Sequence, residues 1–404
     1  MRNLDLFRIA SSLVLFAGAS GTARAQQTPP PDIRSTVIEQ AEAEKLPTLH
    51  PYVPGKGERL MTRVEEIFVS PTETWHPFFE NAYRGGGFAP GLGYMWHVSP
   101  YSYVDIRGSY SIKSYKRAEV EFVSPRLFHG RGELSLLGGW RDATQVAYYG
   151  VGMDTATSDR ANFGFEQPHG SALLTVRPAR DLLLLRGGVE YSRWDLKSAT
   201  QGRHVENVYT PATLPGLGTT TTYLHTRATV GLDWRTASGY TRRGGFYGVT
   251  GHDYHDRDDR FGFRQLDYEV IQHLPILRET WVLSFHGLAH TTMLSGNQEV
   301  PFYMLPSLGG GSNLRGYSSW RFRDRNSVLL QGEWRIMANR FLDTAVFYDA
   351  GQVAAHKSDL DLNKLKTDYG FGVRFHAPFA TILRVDVARS REGTVLVFAA
   401  SPVF

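Results

Sequence analysis

Residues 224–235 read LHTRATVGLDWR, and apolar and polar side chains alternate along this stretch with a period of two. One face carries the apolar residues Leu224, Ala228, Val230, Leu232 and Trp234. The opposite face carries the polar residues His225, Arg227, Thr229, Asp233 and Arg235. Because successive side chains of a β-strand point to opposite faces, the stretch predicts a strand between an apolar and a polar environment.

The same alternation recurs along nearly the whole chain after about residue 60. For example, Val104, Ile106 and Tyr110 oppose Asp105 and Arg107. The pattern predicts sixteen strands, at 61–69, 85–97, 101–113, 115–124, 132–142, 160–177, 180–193, 219–235, 243–255, 260–275, 278–292, 326–338, 341–354, 368–378, 380–391 and 393–404. The mean hydropathy of −0.30 fits such a protein, since only one face of each strand is apolar.

Connection lengths separate a soluble β-sandwich from a membrane barrel, because alternation alone is compatible with both. The connections at 99–100, 179 and 339–340 are tight, whereas those at 194–218, 293–325 and 355–367 are long. Outer-membrane barrels have an even number of strands, short periplasmic turns and long external loops. We therefore expect an all-β, transmembrane, antiparallel β-barrel of 16 strands, closed and with both chain ends in the periplasm.

The first 25 residues have the three parts of a secretory signal peptide. Arg2 and Arg8 come first, an apolar run covers 9–17, and Ala23-Arg24-Ala25 is an A-x-A cleavage site. A membrane anchor is the alternative, but a spanning helix needs about 20 apolar residues. Cysteine is absent, so a disulfide framework and a thiolate metal site are both excluded. The net charge of +4 gives no sign of nucleic-acid binding.

A separate leader, residues 26–59, precedes the predicted barrel domain at 60–404. Its first part, 26–34, is rich in proline and predicted to be flexible. Thr36 and Glu39 then form a capping-box pattern that opens a short helix ending at Pro47. This segment would plug the lumen, lie against the periplasmic rim, or form a poorly ordered leader; the sequence leaves these alternatives open.

The long connection 293–325 carries the sequence GGGSNLRGY at 309–317. It resembles the hallmark loop of the BamA-like bacterial surface antigen superfamily, whose members include barrel insertases and two-partner-secretion transporters. The resemblance implies that the tip Arg315-Gly316-Tyr317 folds back into the lumen. It also implies that the arginine pairs there with acidic residues on the following strands.

Two further motifs downstream carry the same resemblance. Residues 347–351, FYDAG, are similar to the F-x-D-x-G strand motif of the superfamily, and residues 331–335, QGEWR, to the strand before it. The alternation agrees, because Leu330 and Trp334 mark an apolar face and leave Glu333 inside. The predicted lock consists of Arg315, Gly316, Tyr317, Glu333, Phe347, Asp349 and Gly351.

The resemblance implies a role in protein or lipid translocation or in membrane-protein assembly, through a lumen gated by the infolded loop. The alternative is a passive porin, adhesin or structural surface antigen, because a fold does not fix a function. Well-known members carry periplasmic POTRA modules, and 26–59 is too short for one. The expected partners are outer-membrane lipids, lipopolysaccharide, the barrel-assembly machinery and a periplasmic protein. A homodimer stays open, and no nucleic acid or cofactor is expected.

Three other features have weaker functional interpretations. Residues 252–259, HDYHDRDD, contain ligand-like side chains but are predicted to form an external hairpin tip, where charged residues are common. His225, His252, His255 and His286 are scattered in the sequence without a nucleophile motif, so we do not expect an enzyme. Phe404 ends the last predicted strand and resembles the assembly signal of outer-membrane barrels, although Pro402 would disturb that strand.

Overall fold

The structure is a computed structural model that describes residues 31–45, 55, 56, 59, 62, 63, 74–178, 182–377 and 380–404. The chain divides into two compact units at Lys56 and Gly57. In the first unit, helix α1 spans Pro31–Lys45. Within the described ranges, no helix has both the length and the apolar character needed to cross a membrane. The signal-peptide prediction for 1–25 lies outside the described residues.

Helix α1 begins earlier than predicted. Residues 31–34 belong to it, so the expectation of a flexible 26–34 segment is wrong for its second half. Proline is favoured in the first turn of a helix because its missing N–H has no partner there anyway. Thr36 and Glu39 therefore lie inside the helix and do not open it.

The second unit is dominated by one antiparallel sheet of sixteen strands. Its strands are β1 (Trp75–Glu80), β2 (Ala89–His97), β3 (Tyr103–Tyr110), β4 (Lys116–Arg126), β5 (Gly132–Tyr148), β6 (Ala161–Val176), β7 (Leu183–Ser198), β8 (Thr221–Asp233), β9 (Gly244–Asp256), β10 (Phe263–Pro275), β11 (Trp281–Met293), β14 (Asn326–Asn339), β15 (Leu342–Ala354), β16 (Lys366–His376), β17 (Thr381–Ser390) and β18 (Gly393–Ala399). Two short strands, β12 (Ser307–Leu308) and β13 (Phe322–Arg323), pair with each other inside the β11–β14 connection. Single helical turns occur at Leu127–Gly130, Thr157–Asp159, Val205–Asn207, Lys357–Asp359 and Leu362–Lys364.

Fifteen of the sixteen predicted strands overlap observed strands. The exception is the first predicted strand, 61–69. Most of this range lies outside the described residues, and Thr62 and Arg63 are helical. The observed first strand, Trp75–Glu80, was not predicted, and it contains Pro77. A proline has no N–H to donate, so it weakens a strand that is hydrogen-bonded on both sides. Strand β1 is hydrogen-bonded only to β2 and, as an edge strand, tolerates the proline.

The alternation of side chains produces an apolar outside and a polar inside, as predicted. On the outer face, Val230 is 58% exposed and Ile106 is 51% exposed. On the inner face, Glu119 and Asp233 are buried among other polar groups. An exposed apolar belt around a polar interior is the arrangement of a membrane barrel, in which lipid replaces water outside.

The two ends of the barrel differ in their connections. Four long connections, 149–160, 199–220, 294–325 and 355–365, emerge at one end, here called the loop end. The chain enters β1 and leaves β18 at the opposite, turn end. Outward tryptophans cluster near the turn end and mark one membrane interface, as aromatic girdles do. They are Trp75, Trp96, Trp234, Trp281 and Trp334.

The barrel is nearly closed. The order of hydrogen-bonded neighbours runs from β1 to β18, and among the described residues no ladder joins these two strands. The gap between β1 and β18 is here called the seam. Full closure of the hydrogen-bonded sheet, which we predicted, is therefore not observed in the described part of the chain.

The loop end of the lumen is filled by an apolar cluster, here called the cap. It is built from strand ends and from the connections 199–220 and 294–325, and many of its members are aromatic. Phe163, Phe302 and Tyr148 pack edge to face, with ring centroids 4.8–5.2 Å apart. Such pairs stabilise a cluster beyond their buried area. The long loops thus fold inward as a second core.

At the turn end, the β8–β9 connection, residues 234–243, reaches strands that are not its neighbours in the sheet. Tyr240 is buried and stacks on His376 of β16 at 3.9 Å between ring centroids. Its hydroxyl donates to Asp343 of β15 at 2.5 Å. The backbone oxygen of Gly239 accepts from the N–H of Thr381 at 2.9 Å. This connection, here called the crossing turn, therefore lies across the turn end of the lumen.

Candidate functional site

The β11–β14 connection, 294–325, forms a hairpin that turns back into the barrel. Gly309 and Gly310 both have φ above +100°, a backbone conformation that other residues rarely adopt. The side chain of Asn313 closes the turn, because its Oδ1 accepts from the N–H of Gly309 at 2.8 Å and of Leu314 at 2.9 Å. The turn places the next residue, Arg315, with its side chain fully buried.

Arg315 lies between two carboxylates on neighbouring strands. Its Nε and Nη2 donate to the two oxygens of Asp349 on β15, both at 2.7 Å. Its Nη1 donates to Glu333 on β14 at 2.9 Å. The guanidinium also lies 3.4 Å from the ring centroid of Phe347, so the ring covers one face of the cation. A bidentate contact fixes the orientation of the guanidinium as well as its position.

The network extends to two strands that the sequence analysis did not include in the lock. Arg374 on β16 donates to Glu333 at 2.7 Å and to Asp386 on β17 at 2.6 Å. Arg384 donates to the other oxygen of Asp386 at 2.8 Å. These three arginines and three carboxylates, all buried, carry equal and opposite formal charges, and buried Arg335 also lies 3.9 Å from Glu333. Balanced pairing offsets the large cost of desolvating each ion.

The other residues of the predicted lock also contact the loop or its docking surface. A side chain at Gly316 would place its Cβ 2.6 Å from the Cβ of Asp368, so only glycine fits against β16. The hydroxyl of Tyr317 donates to the backbone oxygen of Thr367 at 3.2 Å. A Cβ at Gly351 would lie 2.8 Å from Leu308 of the loop hairpin. The structure thus brings all seven residues together.

The same loop contacts both sides of the seam. On the side of the first hairpin, Arg84 in the β1–β2 connection donates to the backbone oxygen of Gly309 at 2.6 Å and to Asn313 at 3.1 Å. On the side of the last strands, Arg384 donates to the backbone oxygen of Gly311 at 2.6 Å. Arg321 pairs with Glu392 in the β17–β18 turn at 2.8 Å. One loop therefore links the two sheet ends.

Two arginines, the buried Arg323 and the half-buried Arg84, lie against the indole of Trp320. Arg84 lies 4.4 Å from the ring centroid and Arg323 lies 4.6 Å from it. Arg323 also donates to the backbone oxygens of Phe302 and Ala147, at 3.2 and 3.0 Å. Burial lowers the pKa of each of the two arginines to about 10. Both remain charged at neutral pH, so the indole and the carbonyl oxygens stabilise one buried and one half-buried cation.

The histidines that are scattered in the sequence are partly clustered in space. His225 Nε2 lies 2.9 Å from His252 Nδ1, and His252 Nε2 lies 3.2 Å from Asp267. The β8–β9 hairpin brings the two rings to the inner face, so the prediction that they are dispersed is wrong for this pair. Strand β9 also runs to Asp256, and the hairpin tip is only 257–262.

Phe404 does not end the last strand. Strand β18 stops at Ala399, and the tail turns inward, where Phe404 stacks on His286 and His273 with centroids 5.0 and 5.9 Å apart. Pro402 explains the difference, because it cannot donate to a ladder. The predicted position of Phe404 is wrong, and its role as an assembly signal stays a prediction.

Comparison with known proteins gives the family. The model of the Omp85 superfamily domain matches residues 102–393. Among solved structures, the chain is similar to BamA of Haemophilus ducreyi lacking POTRA domains 1–3, with 15% identity, a TM-score of 0.60, and coverage of 84% of this chain and 77% of that chain.

It is also similar to CdiB of Escherichia coli, with 12% identity, a TM-score of 0.55, and coverage of 82% of this chain and 60% of that chain. A sequence comparison with curated proteins finds no significant match. The structural likenesses agree on the fold, which is that of a bacterial outer-membrane barrel. Since the family match covers most of the chain and includes the Arg315 loop, the chain belongs to the Omp85 superfamily.

Proposed function

We propose that this barrel assembles outer-membrane proteins or translocates a polypeptide or lipid, and that the Arg315 loop controls the seam. One observation carries the proposal: the loop is locked in the lumen by Asp349 and Glu333 and also contacts both sides of the seam. Membership of a superfamily that includes assembly and translocation barrels supports this choice of function.

The physical basis is that moving the loop out of its position in the lumen costs much free energy. Separating a buried guanidinium from its carboxylates typically costs about 3–5 kcal/mol, because the remaining charges lose their partners. In the described sheet, no ladder of hydrogen bonds joins the two seam strands, β1 and β18. The loop contacts of Arg84 and Arg384 therefore supply a connection between the first hairpin and the last strands. A substrate that displaces the loop would weaken this connection.

The filled ends of the lumen argue against a passive porin. Porins depend on a water-filled channel. Here the cap fills the loop end, with residues such as Phe163 and Phe302 buried, and the crossing turn lies over the turn end. A porin function would require both obstructions to move.

An engineered disulfide tests whether the loop must move. The Cβ built at Gly311 lies 3.8 Å from the Cβ of Val397 on β18, which is the separation found in disulfides. The natural chain has no cysteine, so Gly311→Cys/Val397→Cys creates a single defined pair. Each single cysteine variant and the reduced double variant serve as controls.

The experiment is done in the natural host with its own copy deleted. We expect deletion to deplete particular polypeptides, or a lipid class, from the outer membrane or the medium. The reduced variant should restore them and the oxidised variant should not. If the oxidised variant restores them fully, loop movement is not required. If deletion alters only the uptake of small solutes, the barrel is a porin and the proposed function is wrong.

A further inference from the structure

A large groove lies on the outer wall of the barrel, away from the lumen. It has a volume of about 820 Å³, within the range of about 300–1,000 Å³ for ligand sites. Its wall consists of outward side chains of β10, β11, β14 and β15, and its rim of residues from the β15–β16 connection. These are Val270, Phe285, Leu330 and Tyr348 on the wall, and Leu362 and Leu365 on the connection. We call it the outer groove.

The connection 355–365 is fixed against the wall by a polar residue in an unusual place. Gln352 has the same parity as the outward residues Tyr348 and Val346, yet it is buried. Its Nε2 donates to the backbone oxygen of Asp359 at 3.1 Å, and its Oε1 accepts from the N–H of Asp361 at 2.8 Å. Both ends of one amide thus hold the connection down over the barrel wall.

The floor of the groove consists of small residues, although the surrounding packing leaves room for larger ones. A Cβ at Gly287 would meet no atom closer than 3.8 Å, and a Cβ at Gly332 none closer than 4.0 Å. Neither glycine has a positive φ. Larger side chains would therefore fit at both positions but would fill the groove. Ala350, beside them, is only 7% exposed, whereas Tyr348 two residues earlier is 53% exposed.

The position of the groove determines what it contacts. It opens on the apolar belt, in the half of the barrel nearer the loop end, so its solvent is the acyl chains of the outer leaflet. Leu362 on the rim is 69% exposed, which favours insertion into lipid rather than contact with water. Lys364 follows the lining residue Asn363, and its side chain is 73% exposed. Its ammonium lies 3.7 Å from the carboxylate of Asp361, an exposed pair of the weak kind that an anionic headgroup can displace. Lys364 provides a cation near the headgroup level.

We infer that the outer groove binds an acyl chain of lipid A, the phosphorylated, acylated lipid of lipopolysaccharide, with Lys364 near its phosphate. The apolar lining and the small floor residues accept the chain, and the lysine favours an anionic headgroup. The groove lies on the outer face of the barrel wall, whereas Glu333 and Asp349 lie on the inner face of the same strands. The site therefore does not depend on the proposed loop movement.

The test measures lipid retention on purified barrels by native mass spectrometry, after incubation with lipid A or with a zwitterionic phospholipid of equal chain length. Gly287→Leu/Gly332→Leu fills the groove. The matched control is Gly138→Leu/Gly187→Leu, because these glycines pair with the outward residues Val120 and Leu174 on another part of the wall and also have open space around them.

We expect wild type and control to retain lipid A, and the groove variant to retain at least about 10-fold less, as the loss of a chain-sized apolar contact predicts. Lys364→Gln should lower retention by about 2- to 5-fold, the effect of an exposed ion pair. Equal retention by the groove variant and the control would overturn the site. Equal retention of the phospholipid by wild type would overturn the choice of lipid.

A measurement on the wild-type protein covers the case in which a variant fails to fold. Barrels in bilayers are irradiated with lipid A that carries a photoreactive group on one acyl chain, and labelled peptides are identified. Labelling concentrated on 355–367 and on β14 and β15 supports the site. Labelling spread evenly around the apolar belt, including β3 and β8, contradicts it.

Discussion

Arg315 and Asp349 lie 34 residues apart in the chain, yet two nitrogens of the guanidinium each lie 2.7 Å from a different oxygen of the carboxylate. Both side chains are fully buried. The pair joins a loop to the inner wall of the barrel, and the same loop reaches the seam through Gly309 and Gly311. The stability of this one contact therefore bears on the position of the whole loop.

Arg315→Lys should weaken the lock although it keeps the charge. An ammonium cannot form the bidentate contact with Asp349 together with the bond to Glu333, because it lacks the planar fork of the guanidinium. We expect a loss of unfolding free energy of about 2–3 kcal/mol, the scale of a hydrogen bond to a charged group. The heat needed to shift the folded band in gel electrophoresis should fall.

Arg264→Lys is the control for this change, since Arg264 makes a largely exposed pair with Asp253 at 3.1 Å. An exposed pair typically contributes about 0–1 kcal/mol. Equal heat resistance of the two variants would show that the bidentate contact does not hold the loop.

Tyr240→Ala should open the turn end of the lumen. The change removes the stack on His376 and the hydrogen bond to Asp343, which hold the crossing turn over the lumen. Because the cap still fills the loop end, access to the turn end is measured with a thiol reagent rather than as conductance. A cysteine introduced at Ser284, which is buried and accepts from Arg335, a residue that also donates to Thr241 of the crossing turn, should react faster with a water-soluble thiol reagent when Tyr240 is alanine. Tyr110→Ala, which truncates an outward tyrosine that is 54% exposed, serves as the control and should leave this reaction rate unchanged. A Tyr240→Ala rate no higher than that of the control would mean that the crossing turn does not obstruct the turn end.

Phe404→Ala separates a structural role of the tail from an assembly role. The ring packs on His273 and His286 inside the barrel. Its removal should cost less than about 3 kcal/mol of unfolding free energy, the value for a fully buried phenylalanine. Refolding in detergent micelles, where no assembly machinery acts, measures this cost. If refolding is normal but the variant is depleted from the outer membrane of cells, Phe404 is an assembly signal.

The alternation of side chains was sufficient to predict most of the barrel and which face Glu333 and Asp349 occupy. The resemblance in 309–317 and 347–351 predicted that Arg315 would meet them. It did not predict Asp386 or Arg374, although both lie at inward positions. Which of many inward charges reaches the loop depends on the curvature of the sheet across four strands, and that is not encoded in the period of any single strand.

Other differences arise where the chain departs from regular strands. Pro77 and Pro402 remove ladder donors at the two ends of the sheet, where the observed first strand was not predicted and the tail leaves the last strand. The crossing turn contains no motif that distinguishes it from an ordinary connection. Gln352 did carry a signal, because a polar residue at an outward position implies a cover over that part of the wall.

The most direct test of the lock is a double-mutant cycle on Arg315→Met and Asp349→Asn, measured as the unfolding free energy of refolded barrels in urea. Each single change leaves a buried charge without its partner, so we predict losses of about 3–5 kcal/mol for each. The double variant should lose much less than the sum, with a coupling of at least about 2 kcal/mol. Additive losses, with a coupling near zero, would contradict the account.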